Sequence, residues 1–352
     1  AAIGLQRETS SPRACCIGMS PQFVDFDADG DLDLVAGTFD GSPHLARLEG
    51  NGWRQPEQIL DAEGVRITLG EFWDHDAKKW SKTTRGDVPG EPPATGHATS
   101  AIAFDDDGDG DLDLLLGDHK SGHVYRRENR GTAAAPKFAR GNQRVLGGDA
   151  PIDVPGTVAT LRLVDFDRDG RVDLLLSSMG DAYSDKAGGG VFWCRNVGEG
   201  KQARFGPLQT LVPVSTKGAE AANRPDSGLY AEAGDADGDG DLDLFVGGYS
   251  HWQPKGKVLN EAEQQRVQAI QKETADLQQE LQRLNTEAQK ASAGIADEAE
   301  AGKRYTEAYK AQKQARDQNR ERMQKLHEEL GALVPAMQRR SFVWYYENTT
   351  KP

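Results

Sequence analysis

The sequence holds three cysteines, four methionines and seven histidines among 352 residues, and no apolar run approaches the ~18 residues that a membrane span requires. Cys15, Cys16 and Cys194 are too few for a disulfide framework and lack zinc-ligand spacing. At most one bridge can form, within the adjacent pair or from one of them to Cys194; buried free thiols are the other reading. Basic residues are outnumbered, 42 Lys and Arg against 56 Asp and Glu, so the net charge of −14 argues against a phosphate-backbone binder and nucleic acid is not an expected partner. No G-x-S-x-G, H-E-x-x-H, P-loop or Rossmann fingerprint is present, nor a paired acid and base at glycosidase spacing, so catalysis is not supported. The opening AAIGLQRETS has neither an initiating Met nor a basic-then-apolar leader, which suits a mature end with its signal peptide removed.

Glycine is abundant, 40 residues, and points to turn-rich β structure. One pattern recurs four times: VDFDADGDLDLVAG from Val24, AFDDDGDGDLDLLLG from Ala103, VDFDRDGRVDLLLS from Val164 and GDADGDGDLDLFVG from Gly234. The copies align on Asp25, Asp105, Asp165 and Asp235, implying a unit of roughly 60 residues with insertions. Unit two shows the plan: a short apolar run at Ser100 to Phe104, the Asp loop, Leu112 to Leu116, then HVYRREN, then a last run near Lys137 to Leu146. Four short strands per unit, repeated around an axis, predict a β-propeller. The expected fold is an all-β propeller of about four four-stranded blades with an inserted antiparallel α-helical coiled-coil hairpin.

Two segments break the rhythm. Residues 61–96 contain Gly, Pro and Trp and read as a long surface loop or hairpin. From 258 to 340 the composition turns to Glu, Gln, Ala, Lys and Arg, which is helix. Val267, Ile270, Thr274, Leu277, Leu281, Leu284, Ala288 and Ala291 form a heptad seam on the first helix. A second helix, about Glu300 to Leu333, has a poorer seam, with Gln312, Arg316 and Asn319 at core positions. That polar gap reads as a place for another chain to complete the hairpin. SFVWYYENTTKP after the hairpin matches the third strands of the other units, so the propeller spans 1–257 plus 341–352 and the hairpin is inserted in the last blade. Unit four then lacks a fourth strand, and Ala1 to Ser10 is the segment expected to supply it.

The repeated loops, 25–33, 105–113, 165–173 and 235–243, read D-x-D-x-D-G-x-x-D. Side chains at positions 1, 3, 5 and 9 are Asp25, Asp27, Asp29 and Asp33; Asp105, Asp107, Asp109 and Asp113; Asp165, Asp167, Asp169 and Asp173; and Asp235, Asp237, Asp239 and Asp243. Position 7, which is Asp31, Asp111, Arg171 and Asp241, is expected to offer its backbone carbonyl. Four carboxylates within nine residues repel one another unless a cation lies between them. Ca²⁺ takes six to eight oxygens in flexible geometry, whereas Mg²⁺ demands a stricter octahedron, so about four Ca²⁺ ions are expected. An EF-hand is excluded, because it needs Glu at loop position 12, where this chain has Ala36, Leu116, Leu176 and Val246.

This loop, followed by an apolar strand in ~60-residue units, resembles the FG-GAP/VCBS repeats of integrin α-subunit propellers and of many bacterial extracytoplasmic proteins. The resemblance covers all but the 258–340 insertion and the 61–96 loop. It implies a propeller with calcium between the first and second strands of each blade, and the sixteen Asp residues at positions 1, 3, 5 and 9 match its motif.

Other motifs weigh less. Arg85-Gly86-Asp87 is a tripeptide that arises easily in a Gly- and Asp-rich chain, and His119, His123 and Asp118 lack a third spaced His for a transition metal. Phe72, Trp73 and Trp80, with Tyr249 and Trp252, read as packing aromatics or as a sugar-binding surface. The functional expectation is a non-enzymatic, extracytoplasmic (secreted, periplasmic or cell-surface) scaffold, with the hairpin as a protein-partner or self-association arm. The alternative is a carbohydrate-binding or carbohydrate-active protein with a glycan site near the 61–96 loop.

Overall fold

Leu-Leu-Leu occurs at 114–116 and again at 174–176, each time directly after the last aspartate of a loop. Consecutive leucines on a strand put apolar side chains on both faces, which a sheet accepts only when both faces are covered. The computed structural model describes residues 18–180, 188–215, 222, 224–295 and 297–349. In it both runs lie in strands buried along their whole length, Asp113–Asp118 and Asp173–Ser178.

Each of these is the second strand of an antiparallel meander. Unit one is Gly18–Val24, Asp33–Thr38, Pro43–Ala46 and Glu57–Gln58. Unit two is Ala98–Phe104, Asp113–Asp118, Val124–Arg127 and Gln143–Arg144. Unit three is Ala159–Val164, Asp173–Ser178, Val191–Cys194 and Gln209–Val212. Unit four has three strands, Ser227–Gly234, Asp243–Trp252 and Gln338–Tyr346. The fourth-strand role given to Ala1 to Ser10 falls outside the described residues, as do Cys15 and Cys16. Cys194 is a buried free thiol whose pKa burial pushes up to about 12, far from reactive thiolate chemistry.

The units pack in sequence. One apolar cluster joins units one and two through Val35, Leu114, Leu116 and Tyr125. A second joins two and three through Leu115, Ile152, Leu174 and Phe192, and a third joins three and four through Leu175, Leu229, Leu244 and Val246. Units two and three thus have neighbours on both faces, whereas the second strand of unit one alternates buried and half-buried residues. The first strands approach closely: the Leu161 amide donates to Ser20 Oγ at 2.9 Å and to Ser100 Oγ at 3.2 Å. A Cβ on Gly37 would lie 2.3 Å from Thr99 O, and one on Gly117 would lie 2.2 Å from Ala159 O, so glycine permits this approach.

The chain divides into two compact units, Ala1–His251 with Arg339–Pro352, and Trp252–Gln338. In the second, α1 (Glu261–Ser292) opens on a capping box in which Asn260 and Glu263 satisfy each other's backbone N–H. The return arm is two helices, not the single one expected: α2 (Glu298–Ala311) and α3 (Lys313–Leu333) break at Gln312. Ile270, Leu284, Ala288 and Leu326 are buried in the hairpin, and Arg266 pairs with Glu329 across it at 2.6 Å.

The polar gap is filled internally at Arg316 and Gln312, while Asn319 Nδ2 is buried without a hydrogen-bond partner. Arg316 is 4% exposed, donates to Asn285 Oδ1 at 2.7 Å and to Gln312 Oε1 at 2.8 Å, and its guanidinium lies 4.0 Å from the Tyr309 ring centroid. Among the described residues no helix is long and apolar enough to cross a membrane.

Candidate metal centres

The four Asp loops join the first and second strands of their units, and one local geometry recurs. Position 6 is always glycine and always left-handed, with φ of +96° at Gly30, +97° at Gly110, +87° at Gly170 and +99° at Gly240. A side chain there would strain the backbone, which is why the motif carries Gly at that step. The position-7 amide then donates to the position-5 carboxylate at 3.0 Å in all four loops: Asp31 to Asp29, Asp111 to Asp109, Arg171 to Asp169 and Asp241 to Asp239. The position-1 carboxylate accepts the position-6 amide in the first three loops, at 3.2, 3.1 and 3.0 Å.

Position 4 is also left-handed. Gly occupies it at Gly108 and Gly238, but Ala28 (φ +59°) and Arg168 (φ +57°) hold it in loops one and three. Ala28→Gly is expected to raise the unfolding free energy by about 0.5–1 kcal/mol, because ~1–2 kcal/mol of strain is relieved against ~0.5–1 kcal/mol of added chain entropy. Urea denaturation measures this, and a less stable variant would contradict it.

These turns bring carboxylates together. One oxygen from each of Asp25, Asp27 and Asp29 lies within 4.8 Å of the other two, and the same holds for Asp105, Asp107 and Asp109 and for Asp235, Asp237 and Asp239. In loop three the trio is Asp165, Asp167 and Asp173 instead, with position 5 replaced by position 9. Several clusters could therefore hold a metal ion.

Position 9 does structural work that its place in the motif does not disclose. Asp33, Asp113, Asp173 and Asp243 are 2%, 1%, 0% and 1% exposed. Each accepts a backbone N–H from just beyond the third strand of its unit: Leu48 at 2.9 Å, Asn129 at 2.6 Å, Asn196 at 2.7 Å and Asn348 at 2.9 Å. The Asn that follows each third strand of units two to four was visible as a turn signal. Its partner across the sheet was not, because the two lie 16 to 105 residues apart.

Whether a cation fits is tested by what the protein leaves unsatisfied. Asp27 Oδ1, Asp31 Oδ1, Asp33 Oδ2, Asp165 Oδ1 and Asp241 Oδ1 are buried without a hydrogen-bond partner. Orphaned carboxylate oxygens are costly in a protein interior, and a hard cation between them removes that cost. The electrostatics agree. Burial and neighbouring carboxylates push Asp111 up to about 6; burial does the same for Asp106, against the pull of Arg126. Asp31 and Asp241 are raised for the same reasons, burial and then their loop carboxylates. Asp243 is held low by the Asn348 amide. Asp169 is held low despite burial, by the Arg171 amide and the Arg195 and Arg171 side chains.

The lesser motifs resolve otherwise. Arg85 of the RGD tripeptide is paired with Asp61 and Glu63, and a Cβ on Gly86 would lie 2.2 Å from Asn142 Nδ2, so this is a packed turn. His123 faces Asp153 at 3.0 Å while His119 stacks on His97 at 4.4 Å, so the two histidines serve different partners. Residues 61–96 send Ile67 and Leu69 into the core and form a hairpin, Glu71–Asp74 with Lys79–Lys82. Its Trp80 packs on Trp73, His97 and Phe39, with centroids 4.4 to 6.0 Å apart, and keeps 40% of its surface exposed. Tyr249 lies under Arg339, 3.9 Å from its ring centroid.

Compared with known families, residues 105–176 and 165–246 match the FG-GAP-like repeat. Each match runs from the first aspartate of one loop to the second strand of the next unit, so loops two, three and four are covered and loop one lies outside them. No curated protein matches the chain.

Proposed function

We propose that this chain, which carries FG-GAP-like repeats, is a calcium-stabilised β-propeller of about four blades that serves outside the cytoplasm as a protein-interaction or assembly scaffold. The observation that carries this reading is the fourfold recurrence of three carboxylates within 4.8 Å at one place in the meander, with buried oxygens left unsatisfied in loops one, three and four. Positions 1, 3 and 5 of loops one, two and four, and positions 1, 3 and 9 of loop three, would hold the ion, with the position-7 carbonyls of Asp31, Asp111, Arg171 and Asp241 completing the shell. Millimolar calcium outside the cell keeps sites of this class loaded, and oxygen ligands held in turns brace the fold.

Residues 258–340 supply the interaction arm. The hairpin carries 14 acidic and 14 basic residues, so its attraction for a partner is patterned and not a net field. The four loops, by contrast, hold sixteen motif aspartates, and four divalent ions would offset eight of the chain's fourteen excess negative charges. Trp80 packs on Trp73 and His97 yet stays 40% exposed, and this cluster does not favour the glycan reading over the scaffold.

Calorimetric titration of the chelator-stripped chain with Ca²⁺ tests the reading, alongside a variant with 258–336 replaced by a short Gly-Ser linker. Both proteins are expected to take up about four ions, and only the full chain to self-associate or bind its partner in sedimentation velocity. No calcium uptake refutes the metal assignment; equal assembly of both proteins refutes the arm.

A further inference from the structure

The four loops share one motif, yet their surroundings differ in charge. Loop one has five aspartates, Asp25 to Asp33 at alternate positions, and is met by Arg47, which pairs with Asp27. Loop two has six with Asp106, and Arg126 reaches Asp106, Asp107 and Asp113 at 3.2, 2.8 and 2.6 Å. Loop four has five, Asp235 to Asp243, with Tyr345 Oη donating to Asp243 at 3.0 Å. Loop three has four and carries two arginines of its own, Arg168 at position 4 and Arg171 at position 7, where the other loops have Ala or Gly and then Asp.

A third arginine joins them. Arg195, from the end of the third strand of unit three, lies 2.5 Å from Asp167 and 2.8 Å from Asp169. Arg171 pairs with the same Asp169 oxygen and donates through Nε to Asn196 O at 2.9 Å. Two guanidiniums therefore hold the position-5 carboxylate, and Asp169 is the carboxylate missing from the loop-three trio, whose place Asp173 takes. Arg168 turns the other way, to Asp235 of loop four at 3.4 Å.

We infer that loop three is the specialised member of the set: its own arginines do in part what the cation does elsewhere, so it stays formed without an ion and binds calcium last and most weakly. This rests on the calcium reading above. The physical reason is that affinity in such loops follows the number of negative ligands, and Arg171 and Arg195 neutralise one ligand and withdraw it from the cluster. Arg171 and Arg195 are then the residues that set the order of filling.

Trp193 reports on loops three and four, because its indole N–H donates to Asp173 at 3.0 Å and its ring lines a cavity with Gly240 and Asp241. The full chain, stripped of metal, is titrated with Tb³⁺ under tryptophan excitation, together with Trp193→Phe and the double variant Arg171→Gln/Arg195→Gln. Trp193→Phe is expected to lose the late phase of sensitised emission together with the loop-four part of the early phase. The double variant is expected to move the late phase to about tenfold lower Tb³⁺. A late phase that the double variant leaves in place overturns the inference while leaving the calcium reading intact. No sensitised emission from any of the three proteins overturns the calcium reading and this inference with it. A measurement on the unmodified chain guards against folding defects in the variants: hydrogen exchange in chelator is expected to leave the 165–173 amides better protected than those of 25–33 and 235–243. Equal protection in the three loops overturns the inference.

Discussion

Chelating divalent cations is expected to lower the melting temperature of the full chain by about 5–20 °C, and added Ca²⁺ to restore it. Sites of extracellular affinity, with Kd ~10⁻⁴–10⁻³ M, each contribute about 0.4–1.4 kcal/mol at ~1 mM calcium, so four sites approach ~2–6 kcal/mol. For a domain of this size each kcal/mol moves the midpoint by roughly 2–4 °C. The effect should also depend on pH. Burial, with the neighbouring carboxylates, raises Asp111 to about 6, and burial raises Asp106 to the same value. A carboxyl whose folded pKa is raised binds more protons folded than unfolded, so its contribution is present at low pH and is lost as pH climbs through about 6. Burial holds His44, His97, His119 and His123 below the usual imidazole value, which acts with the opposite sign. The quantity to compare is therefore the change calcium makes: the chelator-induced fall in midpoint should be larger at pH 7 than at pH 5. Differential scanning calorimetry in matched buffers measures both; a midpoint indifferent to chelator at pH 7 would remove the metal from the account.

Asp173→Ala is expected to destabilise the chain by about 4 kcal/mol even in chelator, where no ion is at stake. Asp173 is fully buried and accepts three N–H groups: the Asn196 amide at 2.7 Å, the Phe166 amide at 3.1 Å and the Trp193 indole at 3.0 Å. Truncation orphans all three, and each unsatisfied buried donor costs ~1–3 kcal/mol. Asp173→Asn keeps a carbonyl oxygen for some of these donors and should lose about half as much. Chemical denaturation in chelator distinguishes this from a pure ligand role: a position-9 aspartate that only held calcium would show no cost there.

How much of this was legible beforehand differs by element. The four Asp loops, their Gly bends and the short strands after them could be read directly, because a tight turn is a local event whose backbone demands are met within nine residues. The helical segment was legible from its seam, Val267 to Ala288, for the same reason. The split of the return arm at Gln312 was not, since helix propensity near Ala311 and Lys313 gives no warning of a break. The role of Arg316 was misread, because a charged residue at a core position looks like a defect until Asn285, 31 residues away, is seen opposite it.

The sequence alone determined that there are four equivalent loops, that carboxylates recur at alternate positions, and that a helical hairpin interrupts the fourth unit; these follow from spacing, which the chain carries along its length. Tertiary structure alone decided that the loops are not equivalent. Position 9 ties each loop to the end of its third strand, and Arg195 reaches back 26 residues to take Asp169 out of the loop-three cluster. Such contacts are set by which strands lie side by side, and Coulomb interactions act across that distance in space without regard to separation along the chain.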